Sequence, residues 1–400
     1  MSVNGALKPP FRILMVTPHL PPEWAANAIL PIQLGSVLNS FGAECRFLAH
    51  SSQGQRGVLA NAHYAPRRGR GRWSRMKIGA VIAAIRIAIC ALPLIKSSDV
   101  IHLHGNGLIV EIADWLATRF RKPTVLTLYG TDVWHHDVTR HRRFGAVVRN
   151  AKSRVFYSEA LREFADSLEL APDPSEVIYA PVASTFKAFG MDRRAVFRRE
   201  LGLDRSAVLL TVKRLHPVAG HEDLLRAMPT ICAVHKNVRL LVVGEGESRA
   251  ALEALTRELE LTDHVQFLGG ISNEDLYRYY ASADLFVLPS RLESWGTVML
   301  EALACGTPVV TTKTAGGKEI SNLFPEDVRV TAVDSPDDLA TAVRLELEAH
   351  RRVSQDVQTR LQARFSIEAC ARNYHAIYRQ VISERADRDL LRSIGISGES

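Results

Sequence analysis

Cysteine is scarce in this chain of 400 residues, and its few cysteines form no ligand or disulfide pattern. They stand far apart, without a CxxC spacing, at Cys45, Cys90, Cys232, Cys305 and Cys370. This spacing argues against a disulfide framework and against a zinc site. We therefore expect a protein of a reducing compartment, the cytoplasm.

Three further features are missing. The first residues lack the cationic segment and apolar run of a secretory signal, so export is not expected. No GxGxxG follows the first apolar run, where residues 17–23 are proline-rich, which disfavours a dehydrogenase. No module signature for nucleic acid is present, so no nucleic-acid partner is expected.

Charge is unevenly distributed. Residues 1–180 carry 22 basic and 13 acidic side chains, which leaves 28 and 30 for the remainder of a chain with net charge +7. The first half is therefore about +9, which favours an anionic partner such as a membrane surface or a phosphorylated acceptor. The segment from Arg67 to Lys77 has six basic residues and no acidic one. It is either a solvated face or a patch for the acceptor or for lipid headgroups on the inner side of the membrane.

An apolar segment follows directly, from Ile78 to Ile95. Arg86 in its middle and Pro93 near its end make a membrane span unfavourable. The sequence favours a helix that faces the core of a domain, and a helix that touches the membrane interface is the alternative.

Short β-branched runs alternate with helical patterns along the whole chain, as in parallel sheets built from βαβ units. The predicted strands are 12–16, 45–49, 100–104, 124–128, 154–157 and 177–180, then 208–212, 239–243, 265–268, 285–288 and 308–311. With 46% apolar residues and this length, two doubly wound α/β domains are expected. We predict domains at 1–185 and 186–365, with residues 181–204 as a linker and surface helix. At 366–400 we predict a final helix that packs back toward the first domain, followed by a tail.

The segment after residues 285–288 has the pattern of a helix that binds phosphate. Ser294 can act as N-cap, Gly306 stands where a left-handed terminator belongs, and Pro308 prevents continuation, which predicts a helix of about ten residues. Its amino end would attract a diphosphate. Glu293 and Glu301 would lie about 12 Å apart along it, too far for the paired carboxyls of a glycosidase.

Glu293, seven intervening residues and Glu301, within PSRLESWGTVMLEALACGTPVVTT, resemble the EX7E segment of retaining family 4 glycosyltransferases. The same family resemblance extends to VKRL at 212–215, VVGEGESRAAL at 242–252, HVQFLGGISNEDL at 264–276 and AGGKE at 315–319. In the first half, DVIHLHG, TLYGTDV and FYSEALRE resemble the acceptor-side domain more weakly. The resemblance implies the GT-B fold, with two Rossmann-like domains facing a central cleft.

The resemblance also implies roles for individual residues. Arg214 would contact the donor diphosphate, Glu293 the hydroxyls of the transferred sugar, and Glu301 the ribose hydroxyls. Other residues implied at the donor site are Lys213, His216, Gly244, Gly246, Phe267, Ser294, Trp295, Gly296, Thr297, Gly316 and Gly317. The co-substrate would be a nucleoside-diphosphate sugar, with no metal and no other cofactor.

Some positions depart from the family pattern. Ala219 stands where the family usually has a lysine, for which His216 or Lys213 could substitute. Ala25-Ala26 stands in place of a Gly-Gly loop, and Tyr129 in place of a common histidine. These departures affect the expected donor geometry and not the fold.

Two residues of the first half are further catalytic candidates. His104 ends a predicted strand and either faces the cleft or packs inside. Asp132 either orients the acceptor hydroxyl or caps a turn. His102 and His104 could suggest a metal pair, but no third ligand accompanies them, so we expect no metal site.

The expected function is hexosyl transfer from a nucleoside-diphosphate sugar, UDP first and GDP-mannose next, to a lipid-linked or soluble acceptor in glycan assembly. A sugar-nucleotide epimerase and a non-catalytic partner of a glycosyltransferase complex are the alternatives.

Overall fold

The structure, a computed structural model, describes residues 11–20, 26–50, 61–65, 77–134 and 142–393. It divides into two compact units, of which unit 1 comprises Met1–Tyr179 with Ile367–Ser400 and unit 2 comprises Ala180–Ser366. The predicted boundaries, after residues 185 and 365, lie a few residues from these. Ala25 and residues 67–76 of the basic segment lie outside the described residues.

Unit 1 contains a sheet of seven parallel strands in the order β3-β2-β1-β4-β5-β6-β7. The strands are β1 (Phe11–Val16), β2 (Ala43–His50), β3 (Ala62–Ala65), β4 (Val100–His104), β5 (Thr124–Leu128), β6 (Ser153–Phe156) and β7 (Ser175–Val177). The central strands β4 and β5 are buried along their whole length, including the polar side chains His102, His104, Thr124 and Thr127.

Helices connect and cover these strands. They are α1 (Ala26–Ser40), α2 (Lys77–Ser97), α3 (Leu108–Arg119), α4 (Gly130–Trp134), α5 (Arg142–Asn150), α6 (Glu159–Asp166) and the terminal α15 (Ile367–Ser393). Helix α15 belongs to unit 1 although it is distant in sequence, because its Tyr374 and Tyr378 are fully buried there.

Unit 2 contains six parallel strands in the order β10-β9-β8-β11-β12-β13. The strands are β8 (Ala207–Val212), β9 (Val238–Val243), β10 (Val265–Gly269), β11 (Leu285–Leu288), β12 (Val309–Thr312) and β13 (Val328–Thr331). Its helices are α7 (Met191–Glu200), α8 (His221–Val234), α9 (Arg249–Glu258), α10 (Asn273–Ser282), α11 (Thr297–Ala304), α12 (Ala315–Leu323), α13 (Pro336–Ala349) and α14 (Gln355–Phe365). The prediction of two Rossmann-like parallel sheets is confirmed.

The sequence missed two of the four edge strands, β3 and β13. Each has four residues, and edge strands carry a weaker apolar signal than central ones. The segment predicted as a linker and surface helix contains α7, most of whose residues are exposed, and a few side chains of α7 anchor it to unit 2. Arg194 and Arg198 of α7 both bind Asp284, at 2.5 and 3.1 Å, and Phe197 is buried. The charged composition of the segment does not reveal these contacts, because the Arg198 guanidinium pairs with the Asp284 carboxylate, 86 positions away in the sequence.

Candidate functional site

The candidate site of unit 2 lies where strands β8, β9, β11 and β12 end. These strands are neighbours in a parallel sheet, so the loops that follow them meet at one edge. The loops contain most of the residues that the sequence assigns to the donor.

Glu293 is held by two groups at this edge. The Nζ of Lys213 contacts its Oε2, and the backbone N–H of Gly316 donates to its carbonyl at 2.9 Å. Glu293 is buried, whereas Lys213 is half-buried. The structure therefore brings together Lys213, Glu293 and Gly316, and it fixes a carboxylate beside a cation at the strand ends.

Glu301 lies in the second turn of α11. Its Oε2 accepts a hydrogen bond from the Tyr280 hydroxyl at 2.8 Å. Burial raises the pKa of Glu301 to about 7, and the Tyr280 hydrogen bond opposes that rise. Near neutral pH this carboxyl is thus poised between its neutral and ionised forms.

The amino end of α11 differs from the prediction. The helix begins at Thr297 with Gly296 as N-cap, so the prediction of Ser294 as N-cap is wrong. Gly296 has φ 76°, and a left-handed residue at this point keeps the preceding segment out of the helix. Ser294 and Trp295 belong instead to the loop after β11, where Trp295 is buried against Phe365 with ring centroids 5.9 Å apart. The helix has eight residues, and the predicted terminator Gly306 has φ 84°.

Glycines let the loops pack backbone against backbone. A Cβ at Gly244 would lie 2.0 Å from the Lys213 carbonyl oxygen, and one at Gly246 would lie 2.2 Å from that of Leu215. A Cβ at Gly316 would lie 2.7 Å from the Trp295 nitrogen. Close packing alone therefore accounts for glycine at these positions, and their donor roles stay predictions. The same holds for Gly317, whose Cβ would meet the Thr312 oxygen at 2.2 Å.

Arg214 is exposed, and among the described residues its side chain forms no ion pair. His216 is engaged, since its Nδ1 accepts from the Val218 N–H at 3.3 Å and its Nε2 lies 3.4 Å from Glu247. Phe267 packs on the core of unit 2 beneath the Arg249 guanidinium. The predicted donor roles of all three are untested by these contacts.

Sequence reasoning missed the ion-pair network around Arg291. Its guanidinium donates to the Pro217 carbonyl at 2.9 Å, to Asp223 at 3.0 Å and to Asp334 at 2.5 Å. The network holds the turn Pro217–Ala219 against the loop after β11. No local signal could reveal these pairs, because they join positions 43 to 74 residues apart.

The same turn contains Ala219, which stands where the family pattern usually has a lysine. Its side chain is fully buried. His221 follows it, also buried, and sequence reasoning did not single it out. Burial, together with the positive charge of Lys213, lowers the pKa of His221 to about 4, so its imidazole is neutral.

In unit 1, the strand ends are filled by side chains. His104 is fully buried, its Nδ1 lies 3.0 Å from the Tyr129 hydroxyl, and burial lowers its pKa to about 3. His102 is hydrogen-bonded to Thr127 at 2.8 Å and to Tyr378 at 2.6 Å. These contacts favour the packing interpretation that the sequence left open for His104.

Asp132 lies in α4 and accepts from the Tyr129 N–H at 3.0 Å. Burial raises the pKa of Asp132 to about 6. Hydrogen bonds from the backbones of Tyr129 and Asn106 oppose this rise. This geometry favours the turn-capping interpretation. Among the described residues, no three His, Cys, Asp or Glu side chains form a cluster that could bind a metal, and metal independence stays a prediction.

Comparison with known proteins identifies the domain that carries this edge. Residues 193–359 match the family described as "Glycosyl transferases group 1". These residues lie within unit 2.

Two curated relatives illustrate the match. A D-inositol 3-phosphate glycosyltransferase of Segniliparus rotundus is 38% identical over 151 residues, which are 36% of this chain and 34% of the relative. A GDP-mannose-dependent alpha-(1-6)-phosphatidylinositol monomannoside mannosyltransferase of Mycolicibacterium smegmatis is 36% identical over 135 residues, 32% of this chain and 35% of the relative. The chain thus spans about a third of the length of the curated relatives it matches.

Among solved structures, Anabaena HepE in complex with UDP is similar with a TM-score of 0.77 and 18% identity, over 92% of this chain and all of that chain. Together with the two parallel sheets, this likeness confirms the predicted GT-B class of fold.

Proposed function

We propose that the chain is a retaining, metal-independent hexosyltransferase. It transfers sugar from a nucleoside diphosphate to a hydroxyl group of an acceptor in glycan assembly, at the cytoplasmic side of the membrane. The observation that carries the proposal is the Lys213–Glu293 contact at the carboxyl edge of unit 2.

The edge offers the chemistry that such a transfer needs. When the bond between the sugar C1 and the β-phosphate oxygen breaks, its electron pair moves to the phosphate. Arg214 and Lys213 supply positive charge there, and they stabilise the leaving group more in the transition state than in the bound donor. The acceptor oxygen forms its bond to C1 on the same face, and its proton passes to the departing phosphate.

The two glutamates grip opposite ends of the donor. Glu293, fixed by Lys213 and the backbone of Gly316, accepts hydrogen bonds from hydroxyls of the sugar. Glu301, in the second turn of α11, accepts those of the ribose, for which its ionised form is the better acceptor.

A UDP-sugar is the favoured donor, supported by the similar structure that binds UDP, and GDP-mannose comes next, supported by the mannosyltransferase relative. The acceptor carries a phosphate. Both relatives act on phosphorylated inositol compounds by name, and the first half of this chain is strongly basic.

The test is release of nucleoside diphosphate from a panel of UDP-hexoses and GDP-mannose. Glu293→Gln should reduce the rate about 100- to 1000-fold, because the negative charge that strengthens the hydrogen bond to the reacting sugar and pairs with Lys213 is lost. Glu274→Gln, an exposed glutamate in the first turn of α10, is the matched control and should leave the rate unchanged.

Equal rates in both variants would contradict the proposal. Tight donor binding by the wild type without turnover would instead indicate a non-catalytic partner. Reversible interconversion of two donor sugars would indicate an epimerase.

A further inference from the structure

Helix α2 has apolar residues on two faces. One face, with Ala83, Ile87 and Ala91, is part of the buried core of unit 1. The other face presents Val81, Ile82, Ile85 and Ile89, each 52 to 67% exposed. A surface helix normally has polar residues opposite its buried face, so this second face is not explained by folding.

The exposed face borders an apolar groove of about 830 Å³ formed by α2, α3 and α5. Ile85, Ile89 and Leu92 line one wall, and Ile112 and Trp115 line another. Trp115 is 60% exposed. A tryptophan beside an apolar surface suits the boundary between hydrocarbon and water.

A basic pocket of about 380 Å³ adjoins this groove, and the two share Thr118 and Asn150. Its cationic residues are Arg121, Lys122, Arg149, Lys152, Arg385 and Arg388, and no acidic residue is among the described residues that line it. Burial, reinforced by the charge of Arg385, lowers the pKa of Lys122. Such a concentration of cations favours phosphate groups.

The charged residues that line the groove itself are balanced, with two arginines, Arg119 and Arg143, and two acidic residues. Arg86 on α2, Arg119 on α3 and Arg143 on α5 are exposed. The acidic members are Glu111 and Asp114, and Asp114 accepts a hydrogen bond from Asn150 at 2.9 Å.

The basic pocket lies only at the edge of the sheet where the strands begin. It contains Pro123 and Thr124, where β5 begins, and Lys152, which directly precedes β6. His104 and Leu128 end their strands at the opposite edge. The surface is therefore separate from the carboxyl edge of unit 1.

We propose that unit 1 docks on a bilayer that contains anionic phospholipid. Helix α2 lies in the plane of the interface, with its exposed isoleucines and Trp115 at the level of the upper acyl chains, while the basic pocket binds lipid phosphates. The segment Gly79–Ser97 is long and apolar enough to cross a membrane, with a mean hydropathy of 2.0. It does not cross, because Ala83, Ile87 and Ala91 are committed to the core.

The apolar face and the cations together favour anionic phospholipid over other partners. A neutral apolar partner would gain nothing from the cations, and a soluble anion would gain nothing from the groove. Anionic phospholipid combines both chemistries, and binding through both is the known behaviour of interfacial helices. The proposal does not depend on the donor chemistry of unit 2.

The test is sedimentation of the full chain with vesicles of phosphatidylcholine alone or with about 30% phosphatidylglycerol. We expect binding to the anionic vesicles, weaker binding to the neutral ones, and at least about tenfold weakening in about 0.5 M NaCl. Ile85→Ser with Ile89→Ser should weaken binding to anionic vesicles about tenfold or more. Arg149→Glu with Lys152→Glu should weaken it by a similar factor and reduce its salt dependence.

The matched control is Val234→Ser with Leu345→Ser, which removes two half-exposed apolar side chains of unit 2. It should bind vesicles as the wild type does. Trp115 emission should shift to the blue on binding, and the shift should be absent from Trp115→Phe. Circular dichroism of each variant verifies the fold.

Equal binding of the wild type and the Ile85→Ser, Ile89→Ser variant to anionic vesicles would overturn the proposal. So would a dimer of the wild type that this variant abolishes, in the absence of vesicle binding, since the face would then join two copies of the chain.

Discussion

The two units have closely related sheets, yet they fill the carboxyl edges in opposite ways. In unit 1, that edge is occupied by buried aromatic and imidazole groups, among them His102, His104, Tyr129 and Tyr374. In unit 2, glycines bring the loops into direct backbone contact, and the charged side chains of Lys213 and Arg214 stay accessible to solvent. Both sheets have the parallel topology that brings the carboxyl ends of their strands to one edge. The size of the loop residues then decides whether that edge is covered by buried side chains or leaves charged side chains exposed.

The largest effect is expected where glycine brings two loops of unit 2 together. A Cβ at Gly220 would lie 1.8 Å from the Pro289 oxygen, and its φ is 69°. Gly220→Ala should therefore lower the free energy of unfolding of unit 2 by about 3 kcal/mol or more, measured as a urea midpoint.

Two other glycines of unit 2 separate the causes of that loss. Gly202 has φ 66° and open space around its Cβ position, so Gly202→Ala should cost about 1 kcal/mol from backbone strain alone. Gly270 has neither problem, and Gly270→Ala should stay within about 0.5 kcal/mol. Equal losses at all three positions would show that close loop contact is not what shapes this edge.

The charged edge is tested by Arg214→Ala. Loss of this exposed guanidinium should weaken nucleoside-diphosphate binding about 10- to 100-fold in calorimetry, because a charge-assisted contact to phosphate disappears. Arg257→Ala, an equally exposed arginine of α9, should leave the affinity unchanged. If both variants bind as the wild type does, Arg214 has no donor role.

The filled edge is tested by Tyr378→Phe, which removes the hydroxyl 2.6 Å from Nδ1 of His102. We expect a loss of about 1 to 2 kcal/mol in the stability of unit 1, because a buried imidazole nitrogen is left without its partner. Donor affinity should be unchanged. A weaker donor affinity at constant stability would mean that this cluster serves binding rather than packing.

The smallest effect concerns pH. The pKa of Glu301 is raised to about 7, so the neutral carboxyl prevails below that value and the carboxylate above it. If the carboxylate receives the ribose hydroxyls, nucleotide affinity should rise several-fold from about pH 6 to about pH 8, with proton release on binding.

Tyr280→Phe sharpens this test. The Tyr280 hydroxyl stabilises the carboxylate, so its removal should move the midpoint of the affinity profile to higher pH. Glu301→Gln should abolish the pH dependence. A profile that is unchanged in Glu301→Gln would assign it to another group.

The sequence predicted the fold well because buried parallel strands are mostly apolar along their length. It missed the short edge strands β3 and β13. It predicted a surface helix in the segment that contains α7, but not the ion pairs of Arg194 and Arg198 with Asp284. The N-cap of α11 was misplaced for a related reason. Ser294 fits a cap, but the left-handed φ of Gly296 is set by the contacts of the loop and not by composition.

The sequence by itself determined which residues stand at the strand ends, since apolar period and turn residues mark those ends locally. It thereby placed Lys213, Glu293 and Gly316 after three different strands. Only the tertiary structure decided that these positions meet and that Lys213 contacts Glu293. It also decided that His104 is buried and that one face of α2 is exposed. Strand order, burial and long-range pairing arise from the packing of distant segments, which no local pattern encodes.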